Sequence, residues 1–310
     1  MKNQIRIHEA TTIRDISRFW EQLQAYFKRD IFPDPEDEDR EYFLSETEYW
    51  SEIQRIHERA QDPCYFLYFQ RDDREIGFCM PIIFRSEDYK CFVMEFCVYP
   101  EYRGNGTGRD CAKALLDWAK ALGARYAELN YGGHTRRRRF WELAGFMDNG
   151  VDEWGNPLML LPPPDDVPYS FELFHSHDTC QLKRLENGFL KEIGESVLSD
   201  ERQRKLSDAI QTGKIVFFVA KRGYRVVGLC SVSRCFSTFS CDDVGIFDDF
   251  YIEPVFRKKG IARKLVQFVA AWCKSNGISS LTVCCAPCDE LMYQSLGFDS
   301  SLGKTLAAVL

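Results

Sequence analysis

The stretch VYPEYRGNGTG, residues 98–108, places three glycines and an arginine directly after an apolar run. A segment with the apolar spacing of a helix follows it. The first N–H groups of a helix have no partner inside the helix and carry the positive end of its dipole. Glycines keep side chains away from those groups, so a phosphate can approach them. The stretch therefore predicts a pyrophosphate site at the start of a helix.

A second version of this stretch, IEPVFRKKGIA, occupies residues 252–262. A spacing of 154 residues separates Pro100 from Pro254, and Arg103 from Arg257. REIGFC and RVVGLC precede the two stretches, and LAGF and SLGF follow them, at offsets of 151 and 152 residues. Landmarks that keep their order at a nearly constant long spacing predict a duplicated domain.

The length of the chain suits two such copies, because 310 residues are enough for two domains of about 150 residues each. The join is expected in LPPPDDVP, residues 161–168, where three consecutive prolines cannot continue a helix or an inner strand. We expect an N-terminal domain over 1–163 and a C-terminal domain over 164–310.

Each copy shows the same order of local patterns and predicts an α+β fold with a mostly antiparallel sheet. One helical face is predicted after each glycine-containing loop, with Gly123 and Gly277 ending the two helices. The strands are predicted in CYFLYFQ (64–70), DYKCFVMEFCVYP (88–100) and RYAELN (125–130), and in KIVFFVAK (214–221), VGIFDDFYIEP (244–254) and SLTVCC (280–285). The last helices are predicted in RRRRFWELAG (136–145) and DELMYQSLG (289–297).

The composition excludes several classes of partner. A formal net charge of −7 argues against nucleic-acid binding and favours a cationic or amine substrate. The N-terminus has no apolar signal core, and the longest apolar stretch, IVFFVA, is too short to cross a membrane. Thirteen scattered cysteines indicate reduced thiols and a cytoplasmic location. HSH at 175–177 has no partner pair with metal-ligand spacing, so no metal is expected, and the oligomeric state stays open.

Three phosphate-binding motifs compete for the two loops. The Walker motif requires Gly-Lys-Ser/Thr, which neither loop contains. The dinucleotide fingerprint requires G-x-G-x-x-G early in a βαβ unit, whereas these glycines follow G-x-G-x-G late in the domain. The remaining pattern, R-x-x-G-x-G/A, fits both loops, and an aromatic-x-x-x-Gly-Phe helix end follows in both halves.

On these motifs, both halves resemble GNAT-superfamily N-acetyltransferases, and together they cover nearly the whole chain. The resemblance implies acetyl-coenzyme A as the donor, with no metal. It implies a sheet splayed beside its fourth strand, and a donor carbonyl near the backbone of Val98 or Ile252, where an N–H can stabilise the oxyanion. The residues that this resemblance assigns to the pyrophosphate are Arg103, Gly104, Asn105, Gly106, Thr107 and Gly108, and Arg257, Lys258, Lys259, Gly260, Ile261 and Ala262.

The same resemblance suggests the catalytic groups. A carboxylate on the fourth strand can remove the proton of the acceptor amine, a role open to Glu95 in the first copy and to Asp248 or Asp249 in the second. Asp248 and Asp249 are neighbours on a strand, so only one of them can face the acceptor. The structural alternative for each is a strand carboxylate that faces solvent or pairs with a cation.

In this family a tyrosine four residues before the Gly-Phe usually protonates the departing thiolate. The second copy has Tyr293 at that position, whereas the first has Trp141, whose indole is no practical acid. The prediction is therefore acetyl transfer to a small amine or a peptide amino group, with the chemistry in the C-terminal copy. Activity in the N-terminal copy, or a catalytically silent acetyl-coenzyme A sensor or interaction protein, stays open.

Overall fold

A computed structural model describes residues 4–152 and 154–303. Its contacts divide the chain into two compact units, one with residues 1–148 and 156–162 and the other with residues 149–155 and 163–310. That residues 1–163 and 164–310 are two domains, each able to fold by itself, stays a proposal.

The N-terminal unit has a seven-stranded sheet in the order β1-β2-β3-β4-β5-β7-β6. Its strands are β1 Arg6–Glu9, β2 Leu67–Arg71, β3 Arg74–Phe84, β4 Lys90–Val98, β5 Tyr126–Asn130, β6 Met147–Val151 and β7 Pro157–Leu161. Its α-helices are α1 Ile13–Tyr26, α2 Arg40–Leu44, α3 Ser51–His57, α4 Thr107–Ala121 and α5 Thr135–Leu143. The helix α1 continues as a π-helix through Phe27–Ile31, and a second π-helix, Glu46–Trp50, precedes α3.

Both faces of this sheet are covered, because side chains alternate between the faces along each strand. Leu67 and Phe69 of β2 lie in a core that includes Cys111 and Leu115 of α4. Phe66 and Tyr68 lie in an aromatic-rich core on the opposite face, under α1 and α3. The two apolar clusters fix the helices on either side of β4, the strand on which the candidate site is built.

The C-terminal unit has a five-stranded sheet in the order β12-β11-β10-β9-β8. Its strands are β8 Tyr169–Leu173, β9 Ile215–Arg222, β10 Arg225–Ser237, β11 Asp242–Ile252 and β12 Leu281–Thr282. Its α-helices are α6 Thr179–Glu192, α7 Asp200–Gln211, α8 Ile261–Ser275 and α9 Glu290–Ser295. Leu182 and Leu185 of α6 pack against Phe217 and Val219 of β9, which forms the core under α6.

These architectures confirm the predicted α+β class with two mostly antiparallel sheets, since β4–β5 and β11–β12 are the parallel pairs among the strand pairings described for 4–152 and 154–303. The apolar faces predicted for α4 and α8 are also buried, for example at Leu115 and Leu265. The strand predicted in SLTVCC is shorter than expected. Only Leu281 and Thr282 pair with β11, and the residues that follow form no strand.

The thirteen cysteines carry free thiols, of which seven are buried. No helix within 4–152 or 154–303 is long and apolar enough to cross a membrane. The same ranges hold no group of three or more His, Cys, Asp or Glu residues arranged to bind a metal ion.

Candidate active site

The two parallel strands β4 and β5 separate halfway along β4. Their pairing runs from Lys90–Tyr126 to Val93–Leu129, whereas β4 continues to Val98. Beside the end of the pairing, the register between β3 and β4 shifts, because Met80 faces Glu95 and Pro81 faces Val93. This bulge at Met94 bends β4 away from β5. The result is the splay that the resemblance implied, with an open edge on the second half of β4.

A cavity of about 940 Å³ occupies this splay in the N-terminal unit. One wall is the second half of β4 and the loop that follows it. A second wall is α5 with the turn before it, and a third is the segment from the end of α1 to α2. The residues of the first wall are Val93, Met94, Glu95, Phe96, Cys97, Val98, Arg103, Gly104, Asn105, Gly106, Gly108 and Arg109. The cavity therefore brings Glu95, Val98 and most of the predicted phosphate loop together.

The backbone of the loop is shaped as an anion cradle. Gly104, Asn105 and Gly106 have φ values of +91°, +47° and +81°, the left-handed region in which glycine is preferred. Gly106 is the N-cap residue of α4, and no atom lies within 4 Å of a Cβ built on Gly104 or Gly106. Successive residues of this kind turn their N–H groups to one side. The space that side chains would fill is thus free for a phosphate.

Two loop residues also contact the protein interior. A Cβ on Gly108 would lie 2.9 Å from the ring of Phe140, so this glycine allows α5 to approach α4. Gly108 also lines the cavity, and its contact with a phosphate stays a prediction. The side chain of Thr107 is buried, and its hydroxyl accepts a hydrogen bond from Arg71 Nη1 at 3.3 Å. The Thr107 side chain is therefore engaged within the protein, and its backbone N–H donates to Gly104 O at 3.0 Å.

Arg103 stabilises the loop from within. Its Nε donates to the backbone oxygen of Val98 at 2.7 Å, and its Nη1 donates to Asp30 Oδ1 at 3.2 Å. Burial of Asp30 opposes its ionisation, but hydrogen bonds from Arg103 and Arg29 hold its pKa below the usual value. The Arg103 side chain therefore already has two protein partners. Its contact with the cofactor remains a prediction.

The N–H of Val98 points into the splay. Tyr99 N–H donates to Ile76 O of β3 at 2.9 Å. Successive N–H groups of a strand point to opposite sides, so Val98 N–H is directed away from β3 and towards the open edge. A carbonyl oxygen beside this edge would meet a backbone donor that has no strand partner there.

Glu95 is a carboxyl group that lines the cavity from β4. Burial raises its pKa to about 8, although a hydrogen bond with the Tyr26 hydroxyl and the charge of Arg137 both favour the ionised form. Burial also raises the pKa of Tyr26 well above its usual value, and Glu95 adds to that shift. A carboxyl with a pKa near 8 can release and accept a proton at neutral pH.

Trp141 lines the same cavity, and its indole has no acidic function. It is buried among Phe96, Phe140 and Phe146, with ring centroids 4.9–5.1 Å from its own. The position that holds a tyrosine in the second copy is thus an aromatic packing position in the first.

The C-terminal unit repeats the loop. Arg257 Nε donates to Ile252 O at 2.8 Å, and its Nη2 donates to Glu192 Oε2 at 2.5 Å. Gly260 is the N-cap of α8 with a φ of +77°, close to the +81° of Gly106. These contacts parallel those of Arg103, so the duplication extends to the hydrogen bonds of the loop.

The other residues predicted in this loop differ in exposure. Lys258 is exposed with a φ of +60°, and Lys259 Nζ lies 5.6 Å from the ring centroid of Phe256. The Ile261 side chain is buried and that of Ala262 is half-buried. The two lysines can therefore meet a phosphate, whereas Ile261 offers only its backbone.

Asp248 and Asp249 take opposite orientations, as expected for neighbours on β11. Asp248 is exposed, whereas Asp249 is half-buried at a bulge with a φ of +52° and accepts a hydrogen bond from Ser231 Oγ at 2.6 Å. Burial raises the pKa of Asp249, and the charge of Asp248 adds to the shift.

Sequence reasoning missed Glu186 of α6. Its side chain is 5% exposed, and its Oε1 has no hydrogen-bond partner within 4–152 or 154–303. Burial raises its pKa to about 8, helped by the charges of Asp249 and Asp248. Glu186 follows Leu182 and Leu185 on the apolar face of α6, and this helical spacing is the signal that could have found it.

Tyr293 lies close enough to Asp248 for the charge of that carboxylate to act on its hydroxyl. Its ring is 6.1 Å from that of Phe250 and 5.9 Å from that of Phe298. Burial raises its pKa to about 12, and the charge of Asp248 contributes. The hydroxyl therefore stays protonated at neutral pH, but it is a weaker acid than an ordinary phenol.

A sequence profile described as the Acetyltransferase (GNAT) family matches residues 20–146 and 181–298. No curated protein sequence gives a significant match. The solved structures that resemble the chain include an acetyltransferase of Trypanosoma brucei, with 18% identity over 46% of this chain and 100% of that one and a TM-score of 0.39. They also include glucosamine-6-phosphate N-acetyltransferase of Arabidopsis thaliana, with 17% identity, 46% and 98% coverage and a TM-score of 0.37.

An aminoglycoside acetyltransferase from an uncultured soil metagenomic sample has 17% identity, 47% and 97% coverage and a TM-score of 0.41. Likenesses at these identities and TM-scores carry no argument about the acceptor of this chain. The family profile is different, because its two matched regions cover most of the chain, one region in each half. The chain therefore belongs to the GNAT family of acetyltransferases and contains two copies of the domain.

Proposed function

We propose that the N-terminal unit transfers an acetyl group from acetyl-coenzyme A to a primary amine, with Glu95 as the general base. The observation that carries this proposal is the Glu95 carboxyl, whose pKa is near 8 and which lies in a cavity beside the open edge of β4. A general base works best when its pKa lies near the working pH. A group with a much lower pKa accepts a proton poorly, and a group with a much higher pKa is already protonated.

The donor fits the groups at this edge. The free Cβ positions at Gly104 and Gly106 leave room for the pyrophosphate. Phe96 and Val98 offer an apolar path beside β4, and Val98 N–H offers a donor for the oxyanion. Bound acetyl-coenzyme A supplies the thioester that the amine attacks.

Glu95 can serve the proton transfers of the reaction. The ammonium form of the acceptor has no lone pair, so its first proton must pass to the Glu95 carboxylate before the nitrogen attacks. When the C–S bond breaks, the electron pair leaves on sulfur. A thiol with a pKa of about 8.5 is a close match for a carboxyl with a pKa near 8, so Glu95 can give this proton to the thiolate. The carboxylate that is restored can then take the second proton from the acylated nitrogen and release it to solvent, which leaves the neutral amide. Trp141 is then not required as an acid.

This assignment reverses the preference drawn from Tyr293. In the C-terminal unit, the Asp249 carboxylate on β11 accepts a hydrogen bond from Ser231, and the pKa of Tyr293 is raised to about 12. The raised pKa makes Tyr293 a weaker acid for the departing thiolate. The C-terminal unit keeps the backbone of the cradle, so it is proposed to bind coenzyme A without carrying the main turnover.

Turnover of acetyl-coenzyme A with a panel of primary amines tests the proposal in the full chain. Glu95→Gln should lower kcat by about 10²–10⁴-fold, the usual contribution of a general base. Glu101→Gln is the matched control, because Glu101 is an exposed carboxylate close in sequence that does not line the cavity. Unchanged turnover in Glu95→Gln, or a wild type that binds coenzyme A and acetylates no amine, would reject the N-terminal site.

A further inference from the structure

Resting on the proposed function, we infer that the acceptor is a zwitterion, an α-amino acid with an apolar side chain, whose carboxylate pairs with Arg137. The negative net charge of the chain favours a purely cationic acceptor, so the charges inside the cavity must justify this assignment.

Arg137 lines the cavity from α5. The donor's phosphates are expected at Gly104 and Gly106, whereas Arg137 extends from α5 to the segment at the end of α1. Its Nη2 donates to the backbone oxygen of Asp30 at 2.7 Å. It is also close enough to Glu95 and to Tyr26 for its charge to lower the pKa of both groups.

The charge of Arg137 is not neutralised within the cavity. No carboxylate of residues 4–152 or 154–303 lies within 4.0 Å of its guanidinium, and its partner at Asp30 is a carbonyl oxygen. The carboxylate of Asp30 is itself paired with Arg103 and Arg29. Glu95, with a pKa near 8, is mostly uncharged at pH 7. An anionic group of the ligand would therefore give the guanidinium its missing partner.

The two polar groups suit the two ends of one small molecule. An amine that reaches Glu95 places a neighbouring carboxylate on the side of Arg137, since the two side chains interact across the cavity. Arg136 lines the same wall and is exposed, which adds positive charge around Arg137. An amine without an anionic group would leave this end of the cavity unmatched.

The remaining wall is apolar. The cavity between the end of α1 and α2 is lined by Ile31 and by four aromatic residues whose rings contact one another, Tyr26, Phe27, Phe32 and Phe43. Aromatic walls favour a ligand that buries an apolar group. The third substituent of the acceptor is therefore an apolar side chain, as in phenylalanine or leucine.

Matched pairs of acceptors test the carboxylate directly. The full chain would be assayed with L-phenylalanine against phenethylamine, and with L-leucine against 3-methylbutylamine. We expect kcat/KM to favour the amino acid by about 10–100-fold, the range of a charge-assisted hydrogen bond. Arg137→Gln should remove this preference by raising KM for the amino acids, with the affinity for coenzyme A nearly unchanged. Loss of the arginine charge also raises the pKa of Glu95, which lowers kcat near pH 7 for both members of each pair and leaves their ratio as the readout. Arg137→Lys should restore part of the preference.

Arg139→Gln is the control, because Arg139 is an exposed arginine of the same helix that does not line the cavity. If the matched amines are acetylated with the same kcat/KM as the amino acids, the inference is overturned while the proposed function stays intact. A loss of coenzyme A affinity in Arg137→Gln would also overturn it, since the arginine would then hold the donor's phosphates. Titration of L-phenylalanine into the coenzyme A-saturated chain adds a readout independent of turnover, and no binding at millimolar concentration would count against the inference.

Discussion

Arg103 Nε donates a hydrogen bond to the backbone oxygen of Val98 across 2.7 Å, and so ties the phosphate loop to the end of the strand it follows. The same bond recurs between Arg257 and Ile252 at 2.8 Å. The arginine of R-x-x-G-x-G/A thus has a structural reason to precede the glycines. It holds the loop in the conformation that leaves the N–H groups at the start of the helix free for a phosphate.

The first prediction concerns the cradle itself. Gly106→Ala should weaken coenzyme A binding at the N-terminal site by at least about 10-fold, because a Cβ would enter the space of the phosphate and the φ of +81° is unfavourable for alanine. Isothermal titration would show the loss of one binding event, and KM for acetyl-coenzyme A would rise.

Gly123→Ala is the control that separates the effect of backbone strain on stability from the effect of a new side chain on coenzyme A binding. Gly123 follows the end of α4 with a φ of +101°, has equally free space at its Cβ position and does not line the cavity. Both variants should lose about 1–2 kcal/mol of stability. Equal coenzyme A affinity in the two would mean that the loop is not the phosphate site.

The second prediction is a pH profile. The base form of Glu95 is the ionised carboxylate, so kcat should rise with pH below about 8 and level off above it. A group with a pKa of 8 is about 50 times more ionised at pH 8 than at pH 6. Initial rates at saturating substrates, measured with two acceptors of different amine pKa, would check it.

An inflection that moves with the amine pKa would assign the profile to the acceptor instead of Glu95. Glu95→Gln provides the second check, because its residual activity should lose the inflection near pH 8. An inflection below pH 6 in the wild type would contradict the raised pKa of Glu95.

Part of the fold and of the site was predictable because it depends on local pattern. The spacing of Leu115 and its neighbours defines a helical face, and the loop glycines mark a backbone that other residues rarely adopt. The position of Glu95 also followed from the strand and the resemblance. Its pKa did not, since it depends on burial under Tyr26 and on Arg137, which are distant in sequence.

Other features depended on tertiary contacts that no local pattern contains. Asp30 binds Arg103 from 73 residues away, so the partner of the loop arginine could not be assigned. The close approach of Phe140 to Gly108 gives this glycine a packing role that the loop sequence alone does not reveal. Glu186 was passed over because a glutamate on a helix is usually solvated, and only packing reveals that it is buried.

The third prediction concerns Glu186 and stability. Its pKa is raised from about 4.5 to about 8 in the folded chain, so between these values the folded state binds more protons than the unfolded state. The contribution of Glu186 to the free energy of unfolding must therefore fall as pH rises through this window, by at most about 1.4 kcal/mol per pH unit. Glu186→Gln should be more stable than the wild type at pH 8 and above, and less distinct from it near pH 5.

Chemical denaturation of the full chain at pH 5, 7 and 9 would measure this difference. Glu195→Gln is the control, because Glu195 is an exposed glutamate of the same unit. A Glu186→Gln variant that is less stable than the wild type at pH 9 would show that the carboxylate is stabilised by a partner, and would contradict the raised pKa.

The last prediction concerns the two aromatic residues at equivalent positions, Tyr293 and Trp141. If the N-terminal unit carries the chemistry, Tyr293→Phe should change turnover by less than about twofold, because the hydroxyl it removes lies in the other unit. If Tyr293 instead protonates the thiolate, the same change should lower kcat by about 10²–10⁴-fold with little effect on coenzyme A affinity. Acetyl-transfer rates with an amine found in the screen distinguish the two outcomes. Trp141→Tyr should bring no gain, because Glu95 already supplies the proton and the smaller ring leaves a gap among Phe96, Phe140 and Phe146. A large loss in Tyr293→Phe, with Glu95→Gln unaffected, would return the active site to the C-terminal unit.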